Sequence, residues 1–454
     1  MQTLGTNHQA TIKKTALARE QPEPAQVAPN QLQDQLQVNG DRLNRSLAQL
    51  AEIGKLPKGG VSRVAFTPED VLARQLVQSW MTDAGMEVRI DAAGNIIGRY
   101  GGQSDEKGEA PALATGSHID TVPVGGRYDG CLGVLAGIEV VKVLQEQQLR
   151  LQHPIEVIVF TDEECTVLGC KAMAGDVVSD PDYYRRRDGT PIQSCLEKVG
   201  GNWAEIETAK RFTQVAPGQW RSQIAAFVEL HVEQGSVLET EGVEIGVVKG
   251  VVGQYRFVVN VTGRPNHAGT TPMNHRRDAL VAAAQIVLAV NSLGVDIPGE
   301  QVATVGSLNV SPNAVNIVPG AVELTIDLRD LSQAHLEALI QKMKQDFEAI
   351  ATATQTEITI RPVLHVLPTL CAPAIMDTIT HICQTQGLSH SLLPSRAGHD
   401  AQEIGRFTPM GMIFVPSRTG ISHAEDEYTS PEQCTQGANV LLHTFLALDK
   451  LYRP

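Results

Sequence analysis

Five short segments of this sequence place histidines and carboxylates where a divalent cation could be held. The densest is GSHIDTVPVGGRYDG, residues 116–130. His118 follows a short apolar run, and Asp120 lies two residues on, where its carboxylate could hold the other ring nitrogen. Asp129 comes after a glycine-rich turn that lets the chain fold back. A second segment, Asp162-Glu163-Glu164, ends the β-branched run IEVIVFT. Three adjacent acids at the end of a buried strand repel one another unless a cation sits among them, so one carboxylate can ligate while its neighbour acts as a base. ELHVEQG (229–235) offers His231, Glu233 and Gln234, and AGHDA (397–401) and SRTGISH (417–423) add His399 and His423. Imidazole and carboxylate donors suit Zn²⁺, with Mn²⁺, Co²⁺ or Ni²⁺ as alternatives, and the chemistry such ions serve is hydrolysis. Cys165, next to the acids, has no separate base to make it a nucleophile.

Side chains so far apart in sequence need a layered scaffold to bring them together. The pattern predicts helix at 70–85 and 132–149, and strands at 87–90, 95–100, 112–116, 155–161 and 225–231. The apolar 155–161 run reads as a strand buried on both faces, so the expected fold is α/β with a mixed sheet in three layers. Residues after a strand's carboxyl end then face a shared crevice. Residues 1–37 are expected to be a disordered tail rich in Gln, Pro, Ala and Asn, followed by an amphipathic helix carrying Leu43, Leu47, Leu50 and Ile53.

Between 249 and 364 the order changes to strand (255–262), helix (278–293), strand (302–310), strand (322–328), helix (334–353) and strand (357–362). That is the β-α-β-β-α-β order of a ferredoxin-like unit. The catalytic half is therefore expected at 38–248 and 365–454, with 249–364 inserted.

Composition narrows the classes. A 454-residue chain with 42% hydrophobic and 19% charged residues suits a two-domain globular protein. Its net charge of −14 argues against nucleic acid, which calls for clustered Lys and Arg. No apolar run is long enough to span a bilayer. Seven cysteines without a C-x-x-C pair fit reduced thiols, and the cytoplasm is the expected compartment.

The motif set GSHIDTVPVGGRYDG, DEE, ELHVEQG, GRPNHAGTTPMNHRRDAL, NAVNIVPG, DLRD, AGHDA and SRTGISHAEDE resembles the amidase branch of the zinc aminopeptidase and aminoacylase superfamily. That branch includes N-carbamoyl-L-amino-acid hydrolases, allantoate and ureidoglycolate amidohydrolases and β-ureidopropionases. The resemblance covers residue 39 to the C-terminus. It implies two divalent metal ions, with Asp129 bridging them and His118, Glu164, His231 and His423 completing the sites. It further implies Glu163 as general base, Asp120 as the acid that orients His118, and Gln234, His267, Asn316, Arg329 and Gly398 as substrate contacts. His267 would steady the oxyanion, and the inserted module would act as a lid and mediate a homodimer. Arg329 could clamp a substrate carboxylate or form an ion pair with Asp327 or Asp330. The implied reaction is hydrolysis of the ureido C–N bond of an N-carbamoyl-L-amino acid to amino acid, ammonia and CO₂. Allantoate, ureidoglycolate and N-carbamoyl-β-alanine are the alternative small-molecule substrates. The sequence departs from the branch in one place. After the Glu pair the branch commonly has Gly or Pro, Ser or Thr, Arg and Phe, whereas Cys165-Thr-Val-Leu-Gly-Cys170 stands here.

Overall fold

In the computed structural model, residues 35–452 are described apart from 106–107, 181 and 217–218. The expected tail falls almost wholly on 1–34, outside the described residues. Residues from Gln37 onward form one compact unit.

A nine-stranded mixed sheet runs through that unit. Four central strands lie side by side in the order Ile155–Phe160, Ala112–His118, Ile224–Val232 and Met410–Val415, all mutually parallel. Their side chains are almost entirely buried, as strands covered on both faces require. Alternation along Ile224–Val232 separates the two covering layers. Leu230 lies against Gly133 and Gly437, on the helices Cys131–Glu146 and Pro431–Leu451. Phe227 instead packs in a core with Cys170, Met173, Ala401 and Ile404, from the short helices on the opposite face. Because the four strands run parallel, their carboxyl ends share one edge, and His118, Asp162 to Glu164 and His231 all arrive there.

After Ile245–Val251, which belongs to the central sheet, the chain enters a separate antiparallel sheet. Its order is Val302–Ser311, Ala321–Asp330, Gly253–Thr262, Glu357–Val366, with the helices Ala279–Val295 and Gln333–Thr354 between strands. Period-2 patterning explains it: Tyr255, Phe257, Val259 and Val261 join Val322, Leu324, Ile326 and Leu328 in a core closed by Ile286, Val290, Leu339, Met343 and Phe347. The Asp278 carboxylate caps the first helix by accepting the N–H groups of Leu280 and Val281, and Ser332 caps the second. The fold is therefore α/β, a mixed central sheet with separate small antiparallel sheets. Among the described residues no helix is long and apolar enough to cross a membrane. All seven cysteines are free.

Candidate metal centre

Asp129 is the hub. Its Oδ1 lies 3.1 Å from His231 Nε2 and 3.6 Å from His118 Nε2, while Oδ2 lies 3.2 Å from His423 Nε2. Donor atoms of His118, Asp129 and His231 lie within 4.8 Å of one another, as do those of Asp129, Glu164 and His423. The two groups share Asp129 alone, so its two oxygens are turned toward different donor sets. Gln234 Nε2 and Ser422 Oγ donate to Oδ2 at 2.9 and 3.1 Å.

Two histidines are oriented from behind. The Nδ1 of His118 meets the Asp120 carbonyl at 2.9 Å, and that of His231 meets the Val232 carbonyl at 2.8 Å. A carbonyl only accepts, so each Nδ1 carries a proton and each Nε2 is turned inward toward Asp129. The expected Asp120 carboxylate contact is thus replaced by a backbone one. The carboxylate Oδ1 stands 3.8 Å from the ring nitrogen, while Oδ2 accepts the Glu164 N–H at 3.2 Å. The reason is local: the chain leaves the strand at His118, so the Asp120 carbonyl turns back to the ring while the side chain turns to the acidic loop.

The electrostatics describe a site short of positive charge. Burial would raise the Asp129 carboxyl, but the three surrounding imidazoles hold it well below the ordinary carboxylate range. Burial pushes Glu164 up to about 7, with Asp129 adding to the rise. Glu163, whose Oε2 lies 3.6 Å from His118 Nε2, is pushed well up by burial and by Asp400 and Glu164. Among the described residues no Lys or Arg pairs with Asp129, Glu163 or Glu164. Among the described residues Asp120 Oδ1 is buried without a hydrogen-bond partner. Imidazole and carboxylate donors and crowded acids with no paired Lys or Arg are a set that divalent cations fit.

Near the hub stand one residue not singled out from sequence, Glu427, and one that was, His399. Glu427 accepts the N–H groups of Tyr128 and Asp129 through Oε1, at 2.9 and 3.1 Å, and its Oε2 lies 3.1 Å from the Ser422 hydroxyl oxygen. His399 is buried with its ring 4.5 Å from that of His231, and Glu229, His231 and His399 form a further donor group. Glu427 closes the quoted motif SRTGISHAEDE but reads there as part of a solvated acidic run.

The remaining expected residues lie elsewhere. His267 and Asn316 come together on the small module, where the Ala268 N–H donates to the Asn316 carbonyl at 2.9 Å. His267 Nδ1 accepts the N–H groups of Gly269 and Thr270 at 3.0 and 3.2 Å, which puts the ring proton on Nε2. Arg329 binds Asp327 through Nε and Nη2 and the Arg396 carbonyl through Nη1. Of the two acids expected as its partner, Asp327 takes the ion pair at 2.8 Å. Among the described residues no hydrogen bond or ion pair joins His267, Asn316 or Arg329 to the five histidines and acids around Asp129. Gly398 is exposed at the rim of a cleft that also reaches His399 and Cys165. Burial pushes the Cys165 thiol up, keeping it protonated and a weak nucleophile.

Imidazoles and carboxylates gathered at the carboxyl edge of such a sheet form a candidate metal site. The chain belongs to peptidase family M20/M25/M40, whose pattern matches residues 114–447, and within it to the hydantoinase/carbamoylase amidase branch. It is 38% identical over 412 residues to the N-carbamoyl-L-amino acid amidohydrolase of Geobacillus stearothermophilus, covering 90% of this chain and 98% of that one. Identity to the allantoate amidohydrolase of Bacillus subtilis is 36% over 400 residues, covering 86% and 93%. The crystal structure of an amidase of the hydantoinase/carbamoylase family from Burkholderia multivorans superposes with a TM-score of 0.82 at 36% identity, covering 90% and 98%. Enzymes of this family are typically dependent on two metal ions.

Proposed function

We propose that this amidohydrolase cleaves the ureido C–N bond of N-carbamoyl-L-amino acids, with two divalent cations held by His118, Asp129 and His231 and by Asp129, Glu164 and His423. The observation that carries the reading is the sharing of the Asp129 carboxylate between two donor groups, with Glu163 beside them. A ureido carbonyl is a weak electrophile because two nitrogens donate into it. Two cations bound there would supply an acidified water and polarise that carbonyl, Zn²⁺ first and Mn²⁺, Co²⁺ or Ni²⁺ as alternatives.

The chain's own groups do the rest. Glu163 takes the water proton and returns it to the departing nitrogen, a task for a buried carboxylate of raised proton affinity. The carbonyl of Asp120 fixes the His118 ring, and Gln234 steadies Asp129 from outside. The module at 249–364 serves as a lid that brings His267, whose Nε2–H suits a developing oxyanion, and Asn316 to the substrate. Arg329, held flat by Asp327, clamps the α-carboxylate, and Gly398 leaves room for the substrate at the cleft rim.

The same module makes a homodimer. Val281, Leu288 and Val295 recur every seven residues on the helix Ala279–Val295 and are 49, 68 and 72% exposed, an apolar stripe with no cover in one chain. Allantoate is the second reading, supported by nearly equal identity to an allantoate amidohydrolase. Six of the seven free cysteines are buried, which suits a reducing compartment such as the cytoplasm.

Ammonia release from N-carbamoyl-L-amino acids and from allantoate, with Zn²⁺ or Mn²⁺ added, tests the reading. Glu163→Gln should lower turnover by about 10² to 10⁴ while retaining bound metal. Normal turnover in that variant would remove Glu163 from the reaction, and turnover of allantoate alone would replace the first substrate by the second.

A further inference from the structure

Beside the metal centre lies a cleft of roughly 500 Å³, walled by the loop after Glu164, the strands Gly253–Thr262 and Glu357–Val366, and the turn at Gly398 and His399. It adjoins the centre at two points. Cys165 follows Glu164 in the chain, and the His399 ring is 4.5 Å from that of His231.

The charge of this cleft runs against that of the chain. The protein carries −14 overall, yet Lys171, Arg185 and Arg256 line the cleft against a single acid, Glu403. Glu403 is already engaged by Arg406 at 2.8 Å. Arg185 is committed as well, to Asp182 at 2.7 Å and to the Gly189 carbonyl at 2.9 Å. The other two cations are not. Arg256 uses only Nε, on Asp327 at 2.6 Å, which leaves both terminal amines unbonded among the described residues. The Lys171 ammonium has no ion pair or hydrogen bond among the described residues.

Lys171 also stands one helical turn after Val167, the position where the amidase branch commonly has arginine. The part of the sequence that departs from the branch is thus the part that walls the cleft. Arg329, given above to the α-carboxylate, pairs in the sheet register with Gln254, and Asp327 with Arg256. Both guanidinium groups therefore lean on one aspartate along the same strand pair, and the second is available for a different anion.

We propose that Lys171 and the terminal amines of Arg256 form a subsite for a second carboxylate, carried on the substrate side chain. The substrate class is then an N-carbamoyl acidic amino acid. Two cationic donors without an anion of their own at their free amines gain little from a neutral side chain, whereas a carboxylate satisfies both. The assignment rests on the reading of the chain as an N-carbamoyl amino acid hydrolase.

The test compares kcat/KM for N-carbamoyl-L-glutamate and the isosteric N-carbamoyl-L-glutamine on the metal-loaded full chain, for wild type, Lys171→Met, Lys171→Arg and Arg256→Gln. Wild type should prefer the acid by about tenfold or more, mainly through KM. Lys171→Met and Arg256→Gln should each collapse the ratio, and Lys171→Arg should restore most of it. In wild type alone the preference should shrink as salt rises from low to 0.5 M, a readout that does not depend on any variant folding. Hydrolysis of both compounds without acid preference, or a ratio unmoved by Lys171→Met, overturns the subsite and leaves the proposed reaction standing. Release of no ammonia from any N-carbamoyl amino acid overturns the reaction itself, and the subsite with it.

Discussion

Gly130 lies flat against the imidazole of His118: a Cβ added there would sit 2.5 Å from Nε2, the ring nitrogen that faces Asp129. The same glycine has φ +65, a left-handed conformation that side chains with a Cβ resist. Space and backbone thus call for glycine together, one residue after the hub of the centre. Gly130→Ala should cost about 1 to 2 kcal/mol of stability through its φ alone. It should also weaken metal binding by about 10- to 100-fold by displacing the ring, a loss that competition with a chelator would show. Wild-type affinity in a folded variant would mean that the His118 ring position is not set by this contact.

A second prediction concerns the opposite end of the sheet. Glu156 is buried on the strand Ile155–Phe160 and binds Arg99 at 2.9 Å and Arg211 at 2.7 Å. Burial would raise its pKa, but the two guanidinium groups overcome that and hold it below the ordinary value. A depressed folded pKa contributes stability that is complete above the unfolded value of about 4.3 and is lost as pH falls through the folded one. Glu156→Gln leaves two arginines short of a partner and should cost about 3 kcal/mol at neutral pH. Denaturant titrations between pH 3 and 7 should show less acid sensitivity in the variant. An unchanged pH slope would contradict the ion-pair account.

The apolar stripe on Ala279–Val295 makes a third. Leu288→Asp places a charge at its middle and should weaken self-association at least tenfold, read by sedimentation velocity across a dilution series. Equal masses for variant and wild type at every concentration would put the interface elsewhere.

The sequence was most legible where candidate ligands sit at the ends of strands. His118, Asp129, Glu164, His231 and His423 stand at such ends or in glycine-rich turns, and the structure brings them together around Asp129. The strands Gly253–Thr262 and Ala321–Asp330 were legible because buried and open residues alternate along them, whereas Val302–Ser311 alternates poorly and the helix Ala279–Val295 is apolar on its open face as well. Boundaries were less so. The strand expected to stop at 116 continues to His118 because His118 pairs with Phe160 across the sheet, which periodicity does not reveal. The helix expected to reach 149 ends at Glu146, and Gln148 beyond it takes φ +54. Side-chain direction in loops was hardest: whether Asp120 meets His118 through its carboxylate or its carbonyl depends on the local turn. Glu427 reaches back to the Asp129 N–H from an acidic run, a closure only the folded chain displays.

The most direct test of the account counts metal. Equilibrium dialysis against Zn²⁺ followed by elemental analysis should find two tightly bound ions per wild-type chain and neither in folded Asp129→Ala, because both donor groups use that carboxylate. One ion per wild-type chain, or two retained without Asp129, would contradict the shared-carboxylate centre.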